Sequence, residues 1–266
     1  MSETMINAQT LAEIIANYAA ESFLSQYLNP DIFIGSEIET ILGEQTTLIY
    51  QNVDDSSYSG AAILYQGHSF VALNTHQSLR NRYFSAAHEL WHLCITSDLL
   101  GTSADILRDQ AKRTGFDTER AADHFAAAIL MPQNAMRLSW HKLVRESDDD
   151  GQLKRAVIRI ANVAAVPYVA VARRLSELGL LDNPKIVKMT EKKWQDFLAT
   201  TDFPLSPLDQ PVIFEKFAAF AHLTDDLVEK GQLSLMEAAN LMTNVEPERA
   251  KQYLVQHRQS ADLDDD

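Results

Sequence analysis

Apolar residues recur at helical spacing over residues 5–28, where Leu11, Ile14, Ile15, Tyr18, Ala19 and Phe23 trace one stripe. The chain is therefore expected to open on an amphipathic helix that stops at Asn29 and Pro30. A second short helix is expected over 32–43, closed by Gly43. The period then changes. Residues 46–50, 61–65 and 69–74 are β-rich runs separated by turn formers at 54–60 and 66–68, which predicts a three-stranded antiparallel meander. The third strand leads through 75–80 into a stretch, Arg82 to Ile95, that contains neither proline nor glycine and reads as a helix.

After a polar gap, Asp117 is expected to cap a helix running to Met131, and Pro132 to open the next, to about Arg145. The acidic residues 146–150 read as a surface loop. Two helices, 153–162 and 167–178, should follow with a tight turn between them and Gly179 at the end. Beyond Pro184 the pattern is helical at 190–200, 211–222, 224–230, 234–243 and 246–257, with Ser234 and Glu237 spaced as a capping box. The acidic tail 262–266 is expected to be disordered. The fold class is α+β. Residues 1–183 are expected to form the main domain and 184–266 a C-terminal helical module.

The helix over Arg82 to Ile95 carries the chemistry. His88, Glu89 and His92 form a His-Glu-x-x-His motif. On a helix the two histidines lie one turn apart on one face, about 6 Å along the axis, so two neutral rings can grip one ion. Glu89 is rotated about 100° from His88 and is placed to reach a water molecule beside that ion. A catalytic zinc takes three protein ligands and keeps one position open. Glu119, on a second antiparallel helix, can supply the third, and Asp123, one turn further on, can accept the free ring N–H of a liganding histidine. Asp105, Asp109 and Asp117 compete for the third position. Such a site activates water against a carbonyl, with Glu89 taking the proton and passing it to the leaving amine.

Composition narrows the rest. Among 266 residues the formal net charge is -14, which disfavours phosphate backbones as main ligand. The single cysteine, Cys94, rules out an internal disulfide and reads as a buried apolar residue. No stretch has the length a membrane span needs, and the start lacks the basic residues of a signal peptide, so a cytoplasmic location is expected. His141 and Tyr168 are candidates for stabilising an oxyanion. His124 is assigned a packing or surface role, and His68 and His76 flank the third strand. The pair at 153–178 carries Lys154, Arg155, Arg159, Arg173 and Arg174 but reads as a helical completion of the core rather than a DNA reader. Residues 227–256 read as a protein-contact module.

The residues from Phe70 to Asn74, the motif around Ala87, His88, Glu89, Leu90 and His92, and the run Glu119, Ala122, Asp123, Phe125, Ala126, Ile129 to Pro132 together resemble the ImmA/IrrE family of zinc metallopeptidases. The resemblance implies a zincin-like core, with a small antiparallel sheet packed on the motif helix and a second, ligand-bearing helix. It makes Glu119 the third zinc ligand, and Zn2+ the cofactor. It also implies that residues 69–74 align a peptide by edge pairing, so that Phe70, Ala72, Asn74 and Trp91 line the cleft. Trp91 stands where the family usually has glycine, and Asp123 where asparagine is common; a bulky Trp91 would narrow the cleft. The expected function is a cytoplasmic zinc endopeptidase that cleaves a regulatory protein, a repressor or antitoxin-like DNA-binding partner. The alternative is a non-proteolytic regulatory or toxin-type protein of a toxin–antitoxin-like pair, which would not need Glu89.

Overall fold

A computed structural model describes residues 8–65, 68–96, 109, 116–144, 149–243 and 246–264. The fold is α+β, mostly helical, with one small mixed sheet. The chain divides into two compact units, Met1–Leu42 with Gln77–Pro211, and Gly43–His76 with Val212–Asp266. The boundary expected at 183/184 falls inside the first unit.

In the first unit, α1 (Ala8–Tyr27) lies along α4 (Thr118–Leu130), and α4 lies along α3 (Leu79–Thr96). The buried stripe of α1 is Ala12, Ile15, Ala16, Ala19, Ala20 and Phe23, while Ile14 and Tyr18 are each 51% exposed. The large apolar residues therefore mislead about which face packs. Both helices bury alanines, Ala121 and Ala122 among them on α4, and small side chains let two helices approach closely. Phe125 fills the centre, edge-on to Phe23 at 6.1 Å and 5.7 Å from the ring of Trp91. Helix α2 (Glu37–Gln45) contains Gly43 rather than ending at it.

Among the described residues five further helices follow in this unit: α5 (Gln133–Val144), α6 (Asp150–Ala164), α7 (Tyr168–Glu177) and the pair α8 (Pro184–Val187) and α9 (Glu191–Leu198). The acidic run is not wholly loop. Asp149 accepts from the Gln152 N–H at 2.8 Å, and α6 starts at Asp150. Two of the basic residues of the α6–α7 pair are engaged within the unit in this way: Arg155 pairs with Asp202, and Lys154 lies over the Phe197 ring. Arg80, near the start of α3, is 1% exposed and ties that helix to the α6–α7 turn. It donates to Asp209 at 2.6 Å, to the Ala161 carbonyl at 2.6 Å and to the Tyr168 hydroxyl at 2.9 Å. Arg82 donates to Glu39 at 2.6 Å.

The second unit holds the sheet, β1 (Thr47–Gln51), β2 (Gly60–Tyr65), β3 (His68–Asn74) and β4 (Lys216–Phe217), in the order β2-β3-β1-β4. The expected antiparallel meander is corrected: β1 runs parallel to β3, from Thr47 opposite Phe70 to Gln51 opposite Asn74. Strand β3, expected to be an edge, is thus interior, with Val71, Ala72 and Leu73 buried, and β2 is an edge strand, which exposes Ile63 and Leu64. A strand buried on both sides needs a neighbour on each, and β1 is the one whose Leu48 is also buried.

Residues expected as two helices at 211–222 and 224–230 are an extended segment with β4 followed by one helix, α10 (Ala218–Glu229). Thr224 does not break it, because its hydroxyl donates back to the Phe220 carbonyl at 2.8 Å. Helices α11 (Leu235–Met242) and α12 (Pro247–Asp264) close a separate small core of Ala221, Ala238, Ala239, Met242, Ala250 and Tyr253. The capping box at Ser234 and Glu237 is formed. The tail expected to be disordered from 262 is helical through Asp264, and residues 265–266 lie outside the described residues.

Candidate metal centre

The motif folds as helix because Arg82 to Ile95 holds no breaker, and α4 starts where Asp117 accepts from the Arg120 N–H at 3.0 Å. That cap sets Glu119 in the first turn of α4 and Asp123 one turn on. The two helices then converge side chains. The nearest ring nitrogens of His88 and His92 are 3.4 Å apart, a Glu119 carboxylate oxygen is 3.2 Å from His88 Nε2, and the other is 3.7 Å from His92 Nε2. One ligand atom from each of His88, His92 and Glu119 lies within 4.8 Å of the others. Three donors on a tetrahedral ion with bonds of about 2.0–2.1 Å stand about 3.3 Å apart. The donor set, two imidazole nitrogens and one carboxylate oxygen, can therefore hold a divalent ion with little movement.

Asp123 sits behind the group. Its Oδ1 is 2.9 Å from His88 Nδ1. A carboxylate accepts only, so His88 Nδ1 carries the proton and Nε2 presents its lone pair to the group. Burial by itself would depress the His88 ring, but the Asp123 hydrogen bond and the carboxylates Asp123, Glu89 and Glu119 outweigh it and raise the ring above its ordinary value. Burial, together with His88, pushes His92 down. His92 is the more readily available lone pair near neutral pH. Glu89 is buried, 7% exposed, and close enough to His88 to contribute to that rise.

Other expected site residues fall elsewhere. Trp91 is fully buried against Phe125, so it does not narrow an open cleft. The Asn74 amide donates to the Val53 and Tyr58 carbonyls and accepts from the Val53 and His76 N–H groups, which fixes the loop between β1 and β2. Ala72 is buried and Phe70 half-buried on interior strand β3, so the edge-pairing role expected of this strand does not fit it. The Tyr168 hydroxyl accepts from Arg80 and donates to Asp209, and burial raises its pKa. His141 is exposed on α5. Neither joins the ligand group among the described residues. His124 lies between Glu13 and Glu177, at 3.5 and 3.6 Å, and Cys94 is buried with its thiol pushed up by burial. His68 is exposed, and His76 is within 3.1 Å of Asn52. Asp105 lies outside the described residues. The anchoring roles of Arg80 and Arg82 were not read from the sequence, where Arg82 counted only as the start of the motif stretch.

Paired helices that present two histidines and a glutamate to one point, with a glutamate inside the motif, define a metallopeptidase-type centre. The family comparison agrees: residues 45–176 match the peptidase M78 model, described as the IrrE N-terminal-like domain, and through that segment the chain belongs to the ImmA/IrrE family. No curated protein matches the chain. Among the described residues no single helix is long and apolar enough to cross a membrane.

Proposed function

We propose that the chain is a zinc-dependent endopeptidase that cleaves a regulatory protein, a repressor or antitoxin-like DNA-binding partner, in the cytoplasm. The observation that carries this reading is the convergence of His88, His92 and Glu119 with Asp123 behind His88. A structural zinc site would not need the buried Glu89 beside its ligands. His88, His92 and Glu119 would hold the ion, which when bound supplies a Lewis acid for a peptide carbonyl and its attacking water. Asp123 orients His88 and keeps its Nδ1 protonated. Glu89 accepts a proton from water as base and returns it to the departing amine as acid.

The test is co-expression of the chain with the DNA-binding protein encoded beside it, comparing wild type with Glu89→Gln. Loss of the partner with wild type alone supports cleavage. Equal loss with both, or with neither, defeats it and leaves the non-proteolytic reading, in which the chain acts by holding its partner.

A further inference from the structure

A cleft lies beside the ligand group, bordered by Asp123. His92 stands against Glu119, and His88 against Asp123, so α3 and α4 run antiparallel in steps of four residues. One step further along both helices are Phe84 and Ala127. Both line this cleft, of about 690 Å³, which Pro167, Val169 and Val187 close on the far side. That volume is in the range of ligand sites, and the apolar residues make a floor without hydrogen-bonding demands.

The charges around this cleft are mostly spent. Arg120 is paired with Glu13, Arg174 with Glu177, and Asp123 with His88. Arg173 lines the same cleft and is exposed, and among the described residues it has no charged or hydrogen-bonding partner. We propose that the cleft is a substrate subsite for an apolar residue adjacent to a carboxylate-bearing one, with Arg173 as the specificity-determining residue. The apolar residue occupies the floor between Phe84 and Val187, and the free guanidinium forks the neighbouring carboxylate. This rests on the peptidase reading above for its substrate, a polypeptide. A free small apolar carboxylate carries the same chemistry, so the test separates the two.

The experiment uses the full chain loaded with zinc and carrying Glu89→Gln, which binds without cleaving. Short labelled peptides with a central Leu-Glu, Leu-Gln or Leu-Lys pair are titrated by fluorescence anisotropy. The expected order is Leu-Glu tightest, by about tenfold over Leu-Lys, the scale of one interfacial charge pair. Arg173→Glu should invert that order, and Arg173→Lys should keep it. Arg173 is exposed, so both variants should melt with the parent, which separates a specificity change from a folding defect. Equal affinities for the three peptides, or an order unmoved by Arg173→Glu, overturn the proposal. So does 4-methylpentanoate binding more tightly than the Leu-Glu peptide, which would make the cleft a small-molecule site. Cleavage is read separately with wild type. Discrimination by the Glu89→Gln chain without any cleavage by wild type would sink the peptidase reading and leave the cleft as a peptide site.

Discussion

Replacing Asp123 tests how the second carboxylate works. Its Oδ1 is 2.9 Å from His88 Nδ1, and its side chain is 62% exposed while that of His88 is 18% exposed. Removing such a partner costs about 10- to 100-fold in metal affinity. The exposure of Asp123 lets water take over part of its role, so Asp123→Ala should sit at the low end, about tenfold or about 1.4 kcal/mol. Asp123→Asn should cost much less, because an amide oxygen still accepts from Nδ1–H and keeps Nε2 free. Asparagine is also the common residue here in the resembled family. Asp123 raises the proton affinity of His88 as well as its metal affinity. Below the ring's raised pKa, removing it weakens both competitors and hides part of the loss, so the full effect appears only above that pKa. The assay is zinc titration against a chromophoric chelator with the full chain. Unchanged affinity in Asp123→Ala refutes the orienting role. An Asn variant as weak as the Ala variant shows that charge, and not tautomer control, is what Asp123 contributes.

Arg80→Met should destabilise the first unit by about 3–5 kcal/mol, since it leaves the largely buried Asp209 carboxylate without its cation; a loss under 1 kcal/mol in urea denaturation would contradict that anchoring role. Gly43→Ala, at a helical position with open space around its Cβ, should stabilise by about 0.5–1 kcal/mol. Gly179→Ala should do the opposite by about 1–2 kcal/mol, because φ is +66° there, and both changes can be read from the same melts. In the second unit burial alone would raise Asp225, but hydrogen bonds from Tyr253 and Arg249 outweigh it and hold its carboxyl below the ordinary value. A folded-state pKa below the unfolded one adds stability that is present above the unfolded pKa of about 3.9 and lost as pH falls through the folded pKa. The wild-type melting temperature should therefore drop more steeply below pH 4 than that of Asp225→Asn, and parallel pH profiles would remove this contribution.

The ligand residues were legible because helical periodicity turns spacing into direction: residues four apart share a face, so His88 with His92 and Glu119 with Asp123 each fix a side of a helix. The step that joins the two helices was not in the spacing. It depends on the antiparallel register set by the packing of α1, α4 and α3 around Phe125, where alanines rather than the larger Ile14 and Tyr18 are buried. Trp91 shows the same limit, since its rotation about α3 is decided by the Phe125 ring and not by its place inside the motif. Strand existence was plain from composition, whereas strand order was not, because consecutive runs suggest hairpins and the β1–β3 pairing skips β2. The break before α10 was obscured because residues 211–222 have apolar periodicity even though the first seven are extended.

The central claim is the three-residue metal centre, and the most direct measurement is the zinc content of the purified full chain and of three single variants after the same loading and dialysis. The account predicts one equivalent in wild type and in Glu89→Gln, near-complete loss in His88→Ala and a large reduction in Glu119→Ala. No zinc in wild type, or an equivalent retained by His88→Ala, would contradict it.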